Sequence, residues 1–272
     1  MEKGKVFIIA TPIGNLDDIS KRAIETLKEI DILFCEDTRE TGKLLKELEI
    51  KKKTISNNEQ SEIKNIEKFI KFLEDGKNVG IVSDRGTPII SDPGYLLAKS
   101  AVENNFEIIS IPGPSAVIAA LVASGLEPQP FTFYGFLNSK KEKRKKQLEK
   151  LKKVDHTLIF YESPRRIEAT LEELLEVFGN RKICISREIT KLYEEHIRGD
   201  IKKILEEKIQ IKGEVVLLVE GNKEKAEYSE EEIKEYIDFL ISEGENTKKA
   251  FIKASEELNI SKNKIYKIYH NL

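Results

Sequence analysis

The chain has no tryptophan, one methionine, two cysteines and three histidines in 272 residues. Cys35 and Cys184 cannot form a disulfide framework. With no CxxC pair and no histidine cluster, no metal site is expected. Aromatic residues make up only 7%, which leaves no obvious stacking platform for naked single-stranded nucleic acid. Neither sign of charge dominates: 46 Lys and Arg stand against 48 Asp and Glu, a net of -2. That balance argues against wholesale polyanion binding, so any nucleic-acid surface must be local. Long apolar runs are missing as well. The stretch that follows Lys5, Val6-Phe7-Ile8-Ile9-Ala10, is too short for a signal peptide or a membrane span, so a cytoplasmic protein is expected. Gly-x-Gly-x-x-Gly, the Walker lysine loop and the Gly-x-Ser-x-Gly elbow do not occur. Their absence removes the commonest dinucleotide, triphosphate and hydrolase signatures.

What the chain does have is a constrained loop, Ser83-Asp84-Arg85-Gly86-Thr87-Pro88-Ile89-Ile90-Ser91-Asp92-Pro93-Gly94, directly after the apolar run Val79–Val82. Gly86 and Gly94 can take positive φ, whereas Pro88 and Pro93 fix φ and remove a backbone donor. The alternative, a rigid turn that only links strand to helix, demands less of the sequence. In an open α/β sheet, however, the carboxyl ends of strands are where ligands usually bind.

Around this loop, β-rich runs alternate with helical patterns. Strands are predicted at 5–10, 31–35, 79–82 and 107–111, and helices at 20–30, 38–48 and 63–73. This alternation implies a mostly parallel sheet covered by helices, an α/β domain spanning 1–112. Pro112-Gly113-Pro114-Ser115 breaks the pattern. A second α/β domain, 113–222, is expected beyond it, with mixed strand directions. Its predicted helices are 116–124 and 164–178, with Pro164 in the first turn of the latter, and its strands 131–136, 157–161, 182–186 and 215–219. A solvated linker at 222–227 leads to a helical appendage, 227–272, with helices at 229–242, 247–258 and 261–269. Their outline is helix-turn-helix-like; a tail that merely packs on the second domain is the alternative.

Four strand-end loops thus converge in the pattern: 11–16, 36–39, 83–94 and 112–116. They are rich in backbone donors and acceptors and poor in charge apart from the carboxylates at 36, 37, 84 and 92. Such a pocket suits a folded zwitterionic or cationic cofactor better than a triphosphate.

Eight motifs in register carry a resemblance. They are Thr11-Pro12-Ile13-Gly14-Asn15-Leu16, Cys35-Glu36-Asp37-Thr38-Arg39, Ser83-Asp84-x-Gly86-Thr87-Pro88 and Ser91-Asp92-Pro93-Gly94. The remainder are Pro112-Gly113-Pro114-Ser115, Phe160-Tyr161-Glu162-Ser163-Pro164, Arg187-Glu188-Ile189-Thr190-Lys191 and Lys212-Gly213-Glu214. Across residues 4–221 the chain resembles the ribosomal RNA small subunit methyltransferase I family of the tetrapyrrole methylase superfamily. The resemblance implies two α/β domains of tetrapyrrole methylase type with a cofactor cleft between them, usually in a homodimer. It also implies S-adenosylmethionine-dependent 2′-O-methylation of a cytidine in the decoding region of 16S rRNA. Carried over by motif, Pro12 and Gly14 match the first cofactor loop, and Ser83, Asp84, Gly86, Thr87, Pro88 and Ile89 the loop around the methionine part. Ser115 and Ala116 match the junction with the second domain, and Gly135, Phe136 and Leu137 its wall near adenine. Two positions depart from the family pattern. Arg85 replaces the usual Ala, and since a fixed cation beside a sulfonium is unfavourable, it is expected to point outward or pair with a carboxylate. The run Pro164-Arg165-Arg166 lacks the His that commonly precedes the last Arg.

A ribose hydroxyl is a poor nucleophile at neutral pH, so a general base would help. Glu36, Asp37, Glu59, Glu162 and Glu188 are the candidates, each equally able to serve as a structural acceptor. Arg39, Arg187 and Lys191 are candidate phosphate contacts. The strongest basic signal is residues 139–153, with nine basic and two acidic side chains, a net of +7. A solvated amphipathic helix with Leu148 and Leu151 inward explains the spacing but not the sign. Lys140, Lys141, Lys143, Arg144, Lys145 and Lys146 are therefore expected to contact RNA. The rival readings are a methyltransferase on a tetrapyrrole or other small molecule, and a non-catalytic RNA-binding ribosome-assembly factor. The basic segment speaks against the first, and the intact 83–94 loop against the second. The expected partner is 16S rRNA, in the assembled small subunit rather than as a free oligomer.

Overall fold

The computed structural model describes residues 3–223, 228–258 and 260–271. Five short strands, β1 (Val6–Ile9), β2 (Ile32–Cys35), β3 (Lys53–Ser56), β4 (Val79–Val82) and β5 (Ile108–Ile111), form the first sheet. Their order is β3-β2-β4-β1-β5, and every pairing is parallel. Parallel strands need crossovers, here α1 (Lys21–Glu29), α2 (Thr38–Glu47), α3 (Glu62–Glu74) and α4 (Tyr95–Glu103). Alternate strand residues face opposite helix layers. Ile32, Phe34, Val79 and Ile81 pack with Phe69, Leu73 and Leu97 of α3 and α4. Leu33, Cys35 and Val82 pack with Ala23, Leu27 and Leu45 of α1 and α2.

The second sheet contains β6 (Phe131–Phe136), β7 (Thr157–Glu162), β8 (Lys182–Arg187), β9 (Glu195–Asp200) and β10 (Val215–Val219). Its order is β6-β7-β10-β8-β9; β6 and β7 are parallel and the other pairings antiparallel. Helix α5 (Ala116–Ser124) packs on one face through Val117, Ala120 and Leu121. Helices α6 (Lys141–Leu151), α7 (Ile167–Phe178) and α8 (Ile201–Glu206) cover the other, with Leu148, Leu171, Leu174 and Ile201 in its core. Both sheets lie in one compact unit that ends at Asn222. From Lys223 a separate unit follows, built of α9 (Glu230–Ser242), α10 (Thr247–Glu257) and α11 (Lys262–Tyr269). Ile233, Ile237, Ala250, Ala254 and Ile265 form its own core. The expected linker at 224–227 lies outside the described residues.

Several elements depart from the sequence pattern. Helix α7 begins at Ile167, not at Pro164, because Ser163 to Arg166 form a turn closed by Arg166 N donating to Ser163 O (2.9 Å). Strands β3 and β9 and helices α4 and α8 are not predicted. β3 and β9 are sheet edges with polar or charged alternate residues, the composition that blunts an open edge. The start of α4 is held by a group remote in sequence. Glu62, buried at the first turn of α3, accepts from Gly94 N and Leu96 N at 2.8 Å each. That carboxylate anchors the far end of the 83–94 loop. Replacing Glu62 by Ala leaves both N–H groups unmet and should cost about 2 kcal/mol. Urea unfolding of Glu62→Ala against Glu62→Gln, which keeps an acceptor oxygen, measures it.

Candidate functional site

Because β4, β1 and β5 are neighbours in the sheet, the loops that follow them stand side by side. They are also tied together. Thr11 N donates to Gly86 O (2.9 Å) and Gly86 N donates to Thr11 O (3.1 Å), an isolated antiparallel bridge between the first and third loops. Thr87 Oγ1 donates to Pro114 O (3.2 Å), which joins the loop after β5. Asp84 Oδ1 accepts from Asp37 N (3.0 Å), which joins the loop after β2. Gly86 has φ +75°, and a Cβ there would lie 3.0 Å from Ile13 Cγ2.

These loops form one wall of a cavity of about 440 Å³, within the usual range for small-molecule sites. Ile13, Gly86, Thr87, Ile90, Ser91 and Asp92 line it from the first sheet's loops, and Ser115, Ala116 and Val117 from the start of α5. The opposite wall comes from Phe136 of β6, Tyr161 to Pro164, Ile189, and Gly213 to Val216. A bulge between Phe133 and Gly135 shifts the register of β6 just before Phe136, and Gly135 takes φ +82° there. A Cβ at Gly135 would meet nothing closer than Ser91 Oγ at 3.8 Å. Arg85 also lines the cavity, ion-paired to Glu214. The pairing expected for Arg85 is thus present, and its charge is neutralised locally.

Of the residues expected at the cofactor, Gly86, Thr87, Ser115, Ala116 and Phe136 line the cavity. Pro12, Gly14, Ser83, Asp84, Pro88, Ile89 and Gly135 are absent from its lining; the buried Ser83 hydroxyl donates inside its own loop, to Arg85 O (3.2 Å). Gly14 lies against Lys191, whose Cε would be 2.5 Å from an added Cβ. Leu137 is a correction: at 2% exposure it belongs to the core beneath α6 and α7, because strand alternation turns it to the face opposite Phe136.

The acids expected to act as bases have different surroundings. Asp37 caps α2 and is gripped by Arg39, with Arg39 Nη2 to Asp37 Oδ2 at 2.6 Å. The Arg39 hydrogen bonds lower the Asp37 pKa to about 2, a weak base. Glu162 is fully buried, ion-paired to Arg166 (2.6 Å) and accepting from Ser163 N (2.7 Å) and Thr170 Oγ1 (2.8 Å). That carboxylate serves the start of α7. Glu188 is held by Lys191 Nζ and Glu214 N, each at 2.9 Å. Glu36 faces an adjoining hollow of about 340 Å³ with Asn58, Glu59, Gln60, Ser91 and Pro93. Its pKa is raised, first by burial and then by Asp84 and Asp92.

The cations divide in the same way. Arg187 is bound to Glu195 (2.7 Å), and Lys191 to Glu188 and Glu214. Lys145 pairs with Glu176. Arg144 is a correction: it is 5% exposed, and its guanidinium forks onto Glu173 with Nε–Oε2 2.7 Å and Nη2–Oε1 2.6 Å. Lys140, Lys141, Lys143 and Lys146 remain on the exposed face of this helical segment.

Tyr161, Ser163, Pro164, Gly213 and Glu214 were not expected at the site although each lies inside a quoted motif, and Asp92 was expected there only as one of the carboxylates of the strand-end loops. Ile13 and Ile189 lie in quoted motifs and Ile90 in the quoted loop, but like Val117, Val215 and Val216 they gave no sign of a role, since an apolar residue facing a cavity looks like one facing a core.

Comparison with known proteins sets this site in context. Residues 5–205 match the family model for Tetrapyrrole (Corrin/Porphyrin) Methylases. The chain is 42% identical over 277 residues to ribosomal RNA small subunit methyltransferase I of Bacillus subtilis, covering 99% of this chain and 95% of that protein. The protein of the same name from Thermotoga maritima is 43% identical over 220 residues, covering 80% of this chain and 99% of that protein. Among solved structures, uroporphyrin-III C-methyl transferase from Thermus thermophilus, complexed with S-adenyl homocysteine, superposes with a TM-score of 0.57. It is 14% identical and covers 80% of this chain and 97% of its own. The native form of that protein gives a TM-score of 0.58 at 15% identity and the same coverages.

Proposed function

The chain belongs to the tetrapyrrole methylase family and, within it, to the ribosomal RNA small subunit methyltransferase I family, and from that membership we propose that it methylates the 2′-oxygen of a cytidine ribose in the decoding region of 16S rRNA. The proposed methyl donor is S-adenosylmethionine, which supplies a methyl group already activated on a sulfonium. The observation that carries this reading is the cavity at the strand ends. Its walls are apolar and backbone-rich, and its cation among the described residues, Arg85, is matched by Glu214. A positively charged ligand therefore meets no net repulsion there. Gly86, Thr87, Ser115, Ala116 and Phe136 would hold it.

The protein's task is then alignment and exclusion of water, because in-line placement of the ribose oxygen supplies much of the rate. Of the candidate bases expected from the sequence, Glu36 has no ion pair among the described residues, and burial raises its pKa. RNA would be held by the exposed lysines at 140, 141, 143 and 146, through phosphates rather than bases. The expected setting is the cytoplasm, and the expected assembly a homodimer. The helices beyond Lys223 add a Lys-rich surface, with six Lys and two Glu from 246 to 272.

Recognition spread over several phosphate contacts reads RNA shape, so an assembled small subunit should be the better substrate. The initial methylation rate on assembled subunits should exceed that on an oligomer of the same local sequence by about tenfold or more. Mapping 2′-O-methyl groups on 16S rRNA with and without the protein tests the assignment itself. Methylation of a tetrapyrrole with no new ribose methyl group would overturn it.

A further inference from the structure

Three carboxylates line the cavity: Asp92, Glu162 and Glu214. Two are committed. Glu162 is buried against Arg166, Thr170 and Ser163 N, and Glu214 is bound by Arg85 and Lys191. Asp92 differs. Half-buried at the cavity wall, it is faced by the Ser83 hydroxyl and, across the cavity, by Tyr161 of β7. Among the described residues its carboxylate is in no ion pair, and the Ser83 side chain beside it is neutral.

We infer that Asp92 is the proton acceptor for the ribose 2′-hydroxyl in the proposed reaction. This rests on the reading above and goes beyond it by naming the base. In the step, the ribose O–H bond breaks and its proton passes to an Asp92 carboxylate oxygen. The oxygen's electron pair forms the new O–CH₃ bond as the cofactor's C–S bond breaks, leaving neutral thioether. Asp92 later returns the proton to water.

The groups around Asp92 suit that task. Asp84 and Glu36, from the loops after β4 and β2, are carboxylates. Glu62 is spent on Gly94 N and Leu96 N, and Arg85 on Glu214. Burial, and then the charge of Asp84, raise the Asp92 pKa above the ordinary carboxylate value. A raised pKa makes the ionised carboxylate a better base. Asp92 in turn adds to the rise at Tyr161, whose pKa is pushed up to about 12, chiefly by burial. Tyr161 therefore stays protonated and does not compete with Asp92 as a base. Ser91, next in the chain, borders both this cavity and the hollow that holds Glu36, so a nucleotide entering from that side passes Asp92.

The test is Asp92→Asn in the full chain, an isosteric change. Single-turnover methylation of assembled small subunits should fall by on the order of 10²-fold or more. Calorimetric affinity for S-adenosylhomocysteine and filter-binding affinity for the subunit should stay within about twofold of wild type, which also reports folding. The wild-type rate should rise with pH through the Asp92 midpoint, and that limb should vanish in the variant. As a readout independent of turnover, the Asp92 carboxyl carbon should titrate by NMR above the ordinary value of ~3.9. A variant with full rate overturns the inference and leaves the methyltransferase reading intact. So does a variant whose cofactor affinity falls as much as its rate, since Asp92 then holds the cofactor. A wild-type protein that modifies no ribose overturns both.

Discussion

Replacing Gly86 by valine should abolish measurable binding of S-adenosylmethionine in a protein that still folds. Gly86 sits at φ +75°, a region that β-branched residues almost never occupy. Its substituent would also press on Ile13, whose Cγ2 lies 3.0 Å from the Cβ position, and Ile13 lines the cavity. The loop can relieve this only by turning its backbone, and Gly86 N and O are both bonded to Thr11. Rotation therefore breaks the bridge that holds the first and third loops together, and the cavity wall moves with it. The strain is local and near the surface of the site, so the two sheets should survive it. We expect at least a 10²-fold loss of affinity by calorimetry, equivalent to about 2.7 kcal/mol. Gly42 provides the control. It lies within α2, and a Cβ there meets nothing within 4 Å. Gly42→Ala should leave affinity unchanged and add about 0.5–1 kcal/mol of helix stability. Unchanged affinity in a folded Gly86→Val variant would show that this loop does not touch the cofactor.

The elements legible in the sequence are those with a clear apolar pattern, in a sheet's interior or, as in β5 and β6, at its edge. β1, β2 and β4 are short apolar runs, and α1 and α3 carry clear stripes, so their ranges are close to those predicted. β3 and β9 were illegible because these two edge strands carry polar or charged residues, which blunt an open edge and hide the strand pattern. The start of α4 was illegible for a different reason: its N-terminal groups are met by Glu62, more than thirty residues earlier in the chain. The same division runs through the site. Loops that need Gly or Pro for backbone reasons stood out, as at Gly86 and Thr87. Which charged group faces which was invisible, because ion pairs join residues far apart in the chain. Arg85 with Glu214 was expected only as a pairing with some carboxylate, and Arg144 with Glu173 was not expected at all. Asp92 stood in a quoted motif, yet its freedom from a cation appears only once Glu162 and Glu214 are seen to be committed.

Within α6, Arg144 should therefore behave unlike the lysines beside it. Arg144→Ala leaves the Glu173 carboxylate, 4% exposed, without its fork of two charge-assisted hydrogen bonds. Arg144 also donates to Asn138 O and Ser139 O, so the turn entering α6 loses its tether. Breaking one side of a buried pair costs about 3–5 kcal/mol, and urea unfolding should register a loss of that size. The double variant Arg144→Met with Glu173→Leu removes the stranded charge and should recover most of it. Charge reversal at Lys140, Lys141, Lys143 and Lys146 should do the opposite. These side chains are exposed, so stability should change little. RNA affinity should fall on the order of 10²-fold at moderate salt, and the slope of log affinity against log salt should flatten by about three. Cofactor affinity should be untouched, because none of the four lines the cavity. Full RNA binding with an unchanged salt slope would reduce the lysine face to a solvated surface. Full stability in Arg144→Ala would mean that water reaches Glu173, and that the guanidinium was never needed to hold the helix down.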